Sequence, residues 1–153
     1  MADTFTVQRS TTINASPDEV YGHMIDFRNW AAWSPWEDMD PEVSKTFAGA
    51  ESGVGAHYSW SGNRKVGQGS MEITDAKQGS EIHIDLEYLK PFKASNTILF
   101  TLAPRDAGTE VTWAMTGRKT FMTRVMGIFK SMDSMVGPDF EKGLAKLKAL
   151  AEG

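Results

Sequence analysis

The chain has 153 residues, 41% of them hydrophobic and 24% charged, with a formal net charge of −4. This composition is typical of one soluble globular domain, expected to span residues 1–153, and it argues against general binding of nucleic acid or anionic membranes. The absence of cysteine excludes disulfides and cysteine-ligated metals.

The first predicted element is a strand over residues 4–13, because apolar and polar residues alternate along it. One face of this strand carries Phe5, Val7, Arg9, Thr11 and Ile13. Arg9 therefore shares a face with apolar residues, and a buried guanidinium would need a partner. Burial of Arg9 with such a partner and a strand bulge that turns it outward are both left open.

Two short helices are predicted after this strand. Ser16 can cap the first helix, Pro17 suits its first position and Glu19 completes a capping box. This helix should end near Phe27, and a second helical turn should cover residues 28–33. Three tryptophans in this part of the chain are expected to plug one end of the core, namely Trp30, Trp33 and Trp36.

Alternating segments separated by turn residues predict an antiparallel meander between residues 43 and 117. Gly67 and Gly69 precede one of these strands and indicate a bulge or a sharp bend. A sheet with one apolar face needs a cover, which the C-terminal helix can supply. The residues expected to face that helix are Tyr58, Trp60, Met71, Ile73, Ile82, Ile84, Leu86, Ile98, Phe100, Leu102, Val111, Trp113 and Met115.

The longest helical pattern covers residues 120–153. Its apolar face consists of Val125, Phe129, Met132, Val136, Phe140, Leu144, Leu147 and Ala151. The opposite, charged face carries Lys130, Asp133, Asp139, Glu141, Lys142, Lys146 and Lys148. Pro138 follows Gly137 inside this pattern, so a kink or a break is expected there. The methionines Met122, Met126, Met132 and Met135 suit either plain core packing or the soft wall of a cavity.

No spacing in the sequence predicts a catalytic or metal site. There is no GxSxG motif, and His23, His57 and His83 form no ligand pair such as HxH or HExxH. The acidic residues at 37–40 do not match a known metal-binding loop. We therefore predict no metal and no cofactor, and leave open whether the protein is an enzyme. Tyr58, Tyr88 and Asn96 could supply a few hydrogen bonds in an otherwise apolar pocket.

Several segments carry a resemblance to a known family. They are WAAWSPWEDMDP at 30–41, GVGAHYSWSG at 53–62, VGQGSMEI at 66–73, LKPF at 89–92, VTWAMTG at 111–117 and GPDFEKGLAKLKALAE at 137–152. In these segments the chain resembles the START-like (SRPBCC) superfamily, within its polyketide cyclase/dehydrase and lipid-transport group. The resemblance implies an α+β helix-grip fold, in which a curved seven-stranded antiparallel sheet surrounds a long C-terminal helix, with two short helices after strand 1.

The leading functional hypothesis is the binding of a small hydrophobic molecule (a lipid, an aromatic or a polyketide-like compound) in an apolar cavity between sheet and helix. The residues expected to line it are Tyr58, Trp60, Met71, Ile84, Leu86, Tyr88, Asn96, Phe100, Trp113, Met126, Phe129 and Met135. One alternative is a cyclase or dehydratase that uses polar residues drawn from Arg9, Tyr58, Tyr88 and Asn96. Another is a protein-interaction or co-chaperone-like module.

The predicted partner is therefore a small hydrophobic ligand, with no nucleic acid and no stable membrane insertion; a homodimer is left open. No apolar run approaches the length of a membrane span, and the residues after Met1 do not resemble a signal peptide. A cytoplasmic location is expected.

Overall fold

The computed structural model of the protein describes residues 4–34, 43–63, 67–90, 93–106, 108–118 and 132–153. The elements are β1 (Thr4–Ile13), α1 (Pro17–Met24), a 3₁₀ helix (Phe27–Ala32), β2 (Ser44–Gly49), β3 (Ala56–Ser61), β4 (Gln68–Lys77), β5 (Glu81–Lys90), β6 (Ala94–Arg105), β7 (Gly108–Arg118) and α2 (Met132–Glu152). The seven strands form one antiparallel sheet in the order β1-β7-β6-β5-β4-β3-β2. The predicted helix-grip architecture is confirmed.

The core lies between the concave face of the curved sheet and α2. Alternation sends every second side chain to this face, and the strand register brings these side chains into rows: Phe100 lies opposite both Ile82 and Trp113. The helix contributes Phe140 and Leu144 to the same buried cluster. The inward faces predicted from the alternating pattern are confirmed.

The first of the two short helices is shorter than predicted, and a turn separates it from the second. Ser16 Oγ accepts a hydrogen bond from the backbone N–H of Glu19 at 3.2 Å, as an N-cap does. The first helix, however, ends at Met24 rather than near Phe27. The reason is that Asp26 caps a new helix, since its Oδ1 accepts from the backbone N–H of Arg28 at 2.9 Å. Phe27 thus begins the 3₁₀ helix.

Trp30 and Trp33 belong to the buried core, and their expected role as a plug at one end of it stays a prediction. Both are buried, and each indole N–H donates to a backbone carbonyl near the end of α1: Trp30 to Met24 at 2.8 Å and Trp33 to His23 at 2.9 Å. Carbonyls at a helix C-terminus have no partner within the helix, so the two indoles satisfy them while burying their rings. Trp36 lies outside the described residues.

The helix α2 runs without interruption through Pro138, so a break at this position does not occur. Gly137 has a packing role instead, because any Cβ at this position would meet the Arg9 guanidinium. The described part of α2 begins at Met132. The residues at 119–131, including the predicted Met122 and Val125, lie outside the described part of the chain.

Arg9 stays on the concave face and has its partner on the helix. Its Nε donates to Glu141 Oε2 at 2.8 Å, with the Arg9 side chain 25% exposed. The pairing of β1 with β7 runs in register through Arg9 and Trp113. The partnered alternative is therefore the correct one, and the outward bulge is wrong.

The last turn of α2 is fixed to the end of β1 as well. Lys148 Nζ donates to the carbonyl of Thr12 at 2.8 Å and to Glu152 at 2.6 Å, while the backbone N–H of Asn14 donates to Glu152 at 2.7 Å. These contacts and the Arg9–Glu141 pair set how α2 lies over the sheet. Within the described part of the chain, no helix combines the length and the apolar content needed to cross a membrane.

Candidate functional site

The middle of the sheet–helix core is filled by a block of aromatic rings. Trp113 and Phe140 are stacked, with ring centroids 4.1 Å apart and planes 7° from parallel. Trp33 packs edge-on against Trp113 at 5.8 Å and against Phe100 at 6.2 Å. Trp113 and Phe100 are both 0% exposed. Phe100 of β6 and Trp113 of β7, two of the predicted lining residues, thus lie against each other and against rings from α2 and the segment after the 3₁₀ helix.

A second set of rings follows the concave face toward β2, and these are only partly buried. We call Phe47, Tyr58, Trp60 and Tyr88 the aromatic row. Its ring centroids are 5.3 Å apart from Phe47 to Tyr58, 6.0 Å from Tyr58 to Trp60 and 5.7 Å from Trp60 to Tyr88. Phe47 is 39% exposed, and Arg28 lies over its ring at 5.3 Å. The row is a broad aromatic surface that remains in part accessible.

The row crosses β4 because that strand has a glycine at the crossing point. Gly69 pairs with Trp60 on one side and with Tyr88 on the other. A Cβ on Gly69 would meet the backbone carbonyl oxygen of Glu87 and would lie 2.8 Å from Cη2 of Trp60, so no side chain fits at this position. The register also shifts between Gln68 and Gly69, so the predicted irregularity is confirmed. Gly69 lets the Trp60 ring lie across β4 and reach Tyr88.

Three polar side chains lie near the β5 end of the row: Tyr88, Asn96 and Asp139. Asn96 is 8% exposed, its Nδ2 donates to Met115 Sδ at 3.8 Å, and it lies over Gly117. Burial, together with the negative charge of Asp139, raises the pKa of Tyr88 to about 12. Burial likewise raises the pKa of Asp139, and the nearby ammonium group of Lys142 lowers it in part.

Asp139 was missed by the sequence pattern, which assigned it to the solvent face of the helix. It is only partly exposed, and its charge acts on Tyr88 of the sheet. The assignment to solvent is wrong because Asp139 lies on the flank of α2 rather than opposite the core. A signal was present: Asp139 is three residues after Val136 and one before Phe140, both on the apolar face.

The other predicted lining residues divide into two groups. Met71, Ile84 and Leu86 are buried on the concave face beside the row, at 7%, 0% and 5% exposure. Met126, Phe129 and the side chain of Met135 lie outside the described part of the structure. Their place in a cavity therefore stays a prediction.

The outer face of the sheet has a different character. An open groove of about 340 Å³ crosses β2, β3 and β4 there, and its lining mixes polar residues such as Thr46, Ser59 and Gln68 with the apolar Leu89. His57 lines this groove, and His83 Nε2 lies 2.9 Å from Glu81 Oε1 on the outer face of β5. Among the described residues, no three His, Asp or Glu side chains are grouped as metal ligands would be.

Comparison with known proteins identifies the relatives of this chain. A sequence model of the family described as polyketide cyclase / dehydrase and lipid transport matches residues 4–152. A search of curated proteins gives no significant match.

Solved structures show the same fold. Protein CV1439 from Chromobacterium violaceum matches with a TM-score of 0.70 at 16% identity, over 97% of both chains. The di-domain ARO/CYC StfQ from the steffimycin biosynthetic pathway matches with a TM-score of 0.69 at 12% identity, over 97% of this chain and 51% of that one. The Aha1 dimer from Colwellia psychrerythraea gives 0.59 at 15% identity, over 97% and 94%. At these identities the likeness establishes the fold alone.

Proposed function

The chain belongs to the polyketide cyclase / dehydrase and lipid transport family, and we propose that it binds a small hydrophobic molecule between the concave face of its sheet and α2. The observation that carries this proposal is the aromatic row. Small-molecule sites are mostly apolar, with a few polar groups that orient the ligand. The row provides such an apolar wall, and Tyr88, Asn96 and Asp139 provide polar groups at one end of it.

The contrast between the two sets of rings supports this location. The rings of Trp33, Phe100, Trp113 and Phe140, which form the aromatic block, bury one another. They therefore have little surface left for a ligand. In the aromatic row, Tyr58, Trp60 and Tyr88 are only partly buried although they lie on the concave side of the sheet. Aromatic faces favour offset-stacked or edge-to-face partners. We therefore favour a flat aromatic or polyketide-like ligand over a lipid chain.

The test is the binding of an anilinonaphthalene sulfonate dye, followed by its fluorescence. Trp60→Ala removes the central ring of the row and should weaken dye binding at least about tenfold, since aromatic side chains dominate contact energies. Leu89→Ala is the matched control, because Leu89 is 51% exposed on the outer face of β5. Unchanged dye affinity in folded Trp60→Ala would place the site elsewhere.

A second candidate is a cyclase or dehydratase acting on such a ligand, and one observation favours it. Asp139 and Tyr88 have raised pKa values and interact electrostatically beside the row. Ionisable groups with perturbed pKa values at a concave site are candidates for acid–base catalysis. If this candidate is correct, wild-type protein but not Asp139→Asn converts a bound polyketone probe into a product lighter by one water, which mass spectrometry would detect.

The interaction-module alternative finds less support. The large apolar side chains that are exposed in the described residues lie on different elements: Phe47 on β2, Val54 before β3, Leu89 on β5 and Leu150 on α2. A docking surface would require them to be contiguous. The cytoplasmic location and the homodimer stay predictions.

A further inference from the structure

The position of α2 over the sheet decides which way Asp139 points. One flank of the helix is held on β1, where Gly137 and Glu141 contact Arg9. Phe140 stacks on Trp113 of β7, the next strand in the sheet. At 3.6 residues per turn, Asp139 lies about 200° around the helix axis from Gly137. Asp139 therefore points away from β1, across the concave face and toward β6 and β5.

The groups found on that side form a polar end to an apolar surface. Tyr88 is on β5 and Asn96 on β6, and Trp60 packs edge-on against Tyr88 at 5.7 Å. The effect of the Asp139 charge on Tyr88 agrees with the direction derived from the helix geometry. The helix geometry thus brings Asp139 to the end of the aromatic row, and the electrostatic effect on Tyr88 is consistent with that position.

The hydrogen-bonding capacity of these groups restricts what they can bind. Tyr88 keeps its proton at neutral pH and can donate, and Asn96 can both donate and accept. An ionised Asp139 can only accept, and the bonds that a carboxylate accepts are stronger than neutral ones. Of the three, it is Asp139 that most strongly favours a ligand with an O–H group.

We propose that Asp139 is a specificity-determining residue of the ligand site: its carboxylate accepts a hydrogen bond from a hydroxyl group on a flat, apolar ligand whose rings lie against Trp60. The ligand class is then a phenolic or enolic aromatic compound rather than a plain hydrocarbon. This proposal rests on the proposed function, because it requires that a ligand enters the space beside the aromatic row.

The experiment compares three probes by equilibrium dialysis at neutral pH: naphthalene, naphthol and methoxynaphthalene. Naphthol can donate a hydrogen bond, whereas its methyl ether has the same oxygen without the proton. A hydrogen bond to a charged acceptor supports a preference of at least about tenfold. Wild-type protein should therefore bind naphthol at least about tenfold more tightly than methoxynaphthalene.

Three variants locate the origin of that preference. Asp139→Leu should bind naphthol and methoxynaphthalene equally while still binding naphthalene. Asp139→Asn, which keeps the shape of the side chain, should retain only part of the preference and serves if the leucine variant fails to fold. Asp85→Asn changes an exposed carboxylate on the outer face of β5 and should leave the preference unchanged.

The outcomes separate the two proposals. If wild-type protein binds naphthalene but does not prefer naphthol, or if the preference survives in both Asp139 variants, the role of Asp139 is wrong and the proposed function stands. If none of the three probes binds, both proposals are wrong. Circular dichroism of each variant identifies any change that comes from unfolding.

Discussion

At the scale of single residues, the interaction between Asp139 and Tyr88 is open to direct measurement. Tyr88 has a pKa of about 12 for two reasons, burial first and the charge of Asp139 second. Both disfavour the tyrosinate, because one removes water from it and the other adds a like charge. Removing the charge of Asp139 would leave the burial of Tyr88 in place.

Asp139→Asn should therefore lower the pKa of Tyr88 while leaving it above the ordinary tyrosine value of 10.0. Tyrosinate absorbance in an alkaline titration measures this, and the chain has only three tyrosines. Tyr88→Phe identifies the signal, since it should remove the transition near pH 12. An unchanged transition in Asp139→Asn would mean that the two groups do not interact.

The raised pKa of Asp139 also predicts how this residue affects stability. In the unfolded chain the carboxyl group loses its proton at a lower pH than in the folded protein. Its contribution to stability is thus fully present below the unfolded pKa and is lost as the pH rises through the folded pKa. At neutral pH, the ionised carboxylate is a cost to the fold.

Asp139→Asn should consequently raise the melting temperature at neutral pH, and this gain should shrink as the pH falls below the unfolded pKa of Asp139. Thermal unfolding, monitored by circular dichroism at several pH values, measures the gain in melting temperature and its decrease at low pH. Asp85→Asn, on the exposed outer face of β5, should change the melting temperature little. A lower melting temperature for Asp139→Asn at neutral pH would contradict the predicted cost.

At the scale of elements, the way α2 lies on β1 depends on a glycine that would otherwise weaken the helix. Alanine is favoured over glycine by about 1 kcal/mol in a helix interior. At position 137, however, a Cβ would meet the Arg9 guanidinium, which also bonds Glu141. The two effects oppose each other.

A double-mutant cycle separates them. Gly137→Ala should stabilise the protein by about 1 kcal/mol when Arg9 is already alanine, and by clearly less, or not at all, in the wild-type background. Urea unfolding of the four proteins gives the coupling free energy. Equal effects of Gly137→Ala in the two backgrounds would show that Arg9 and the helix backbone are not in contact.

The buried stripe of α2 provides a second test of this element. Leu144 is 2% exposed, so Leu144→Ala should lower the free energy of unfolding by about 2–5 kcal/mol through lost burial and a new cavity. Leu150→Ala is the control on the same helix, because Leu150 is 38% exposed and should cost much less. Urea unfolding measures both changes. A loss below about 0.5 kcal/mol at Leu144 would be that of a surface position.

At the scale of the whole molecule, the sheet and α2 enclose an aromatic block that holds the fold and an aromatic row that we assign to the ligand. If naphthol binds at the row, apolar surface of both partners leaves water. Burial of apolar surface gives a negative heat-capacity change of binding. Calorimetric titration of naphthol at several temperatures should show the binding enthalpy becoming more negative on heating. A temperature-independent enthalpy would contradict burial at the row.

The sequence by itself determined the elements and their apolar faces. Alternation placed Ile84 and Phe100 on the inner face of the sheet, and helical spacing placed Phe140 and Leu144 on the buried stripe of α2. These features follow from the chain's local geometry, since the period of two in a strand and of 3.6 in a helix is set by the backbone. The family resemblance added the overall arrangement, a curved seven-stranded sheet around the C-terminal helix.

Only the tertiary structure decided what lies beside each element. Arg9 finds Glu141 on a helix 132 residues away in sequence, and Gly69 matters because Trp60 of the next strand crosses it. Asp139 is the sharpest case. Periodicity divides a helix into an apolar and a polar face, but whether its flank meets water or a sheet depends on how the helix is rotated and placed. The contacts of Gly137 and Phe140 with β1 and β7 set that rotation, and so turn Asp139 toward Tyr88.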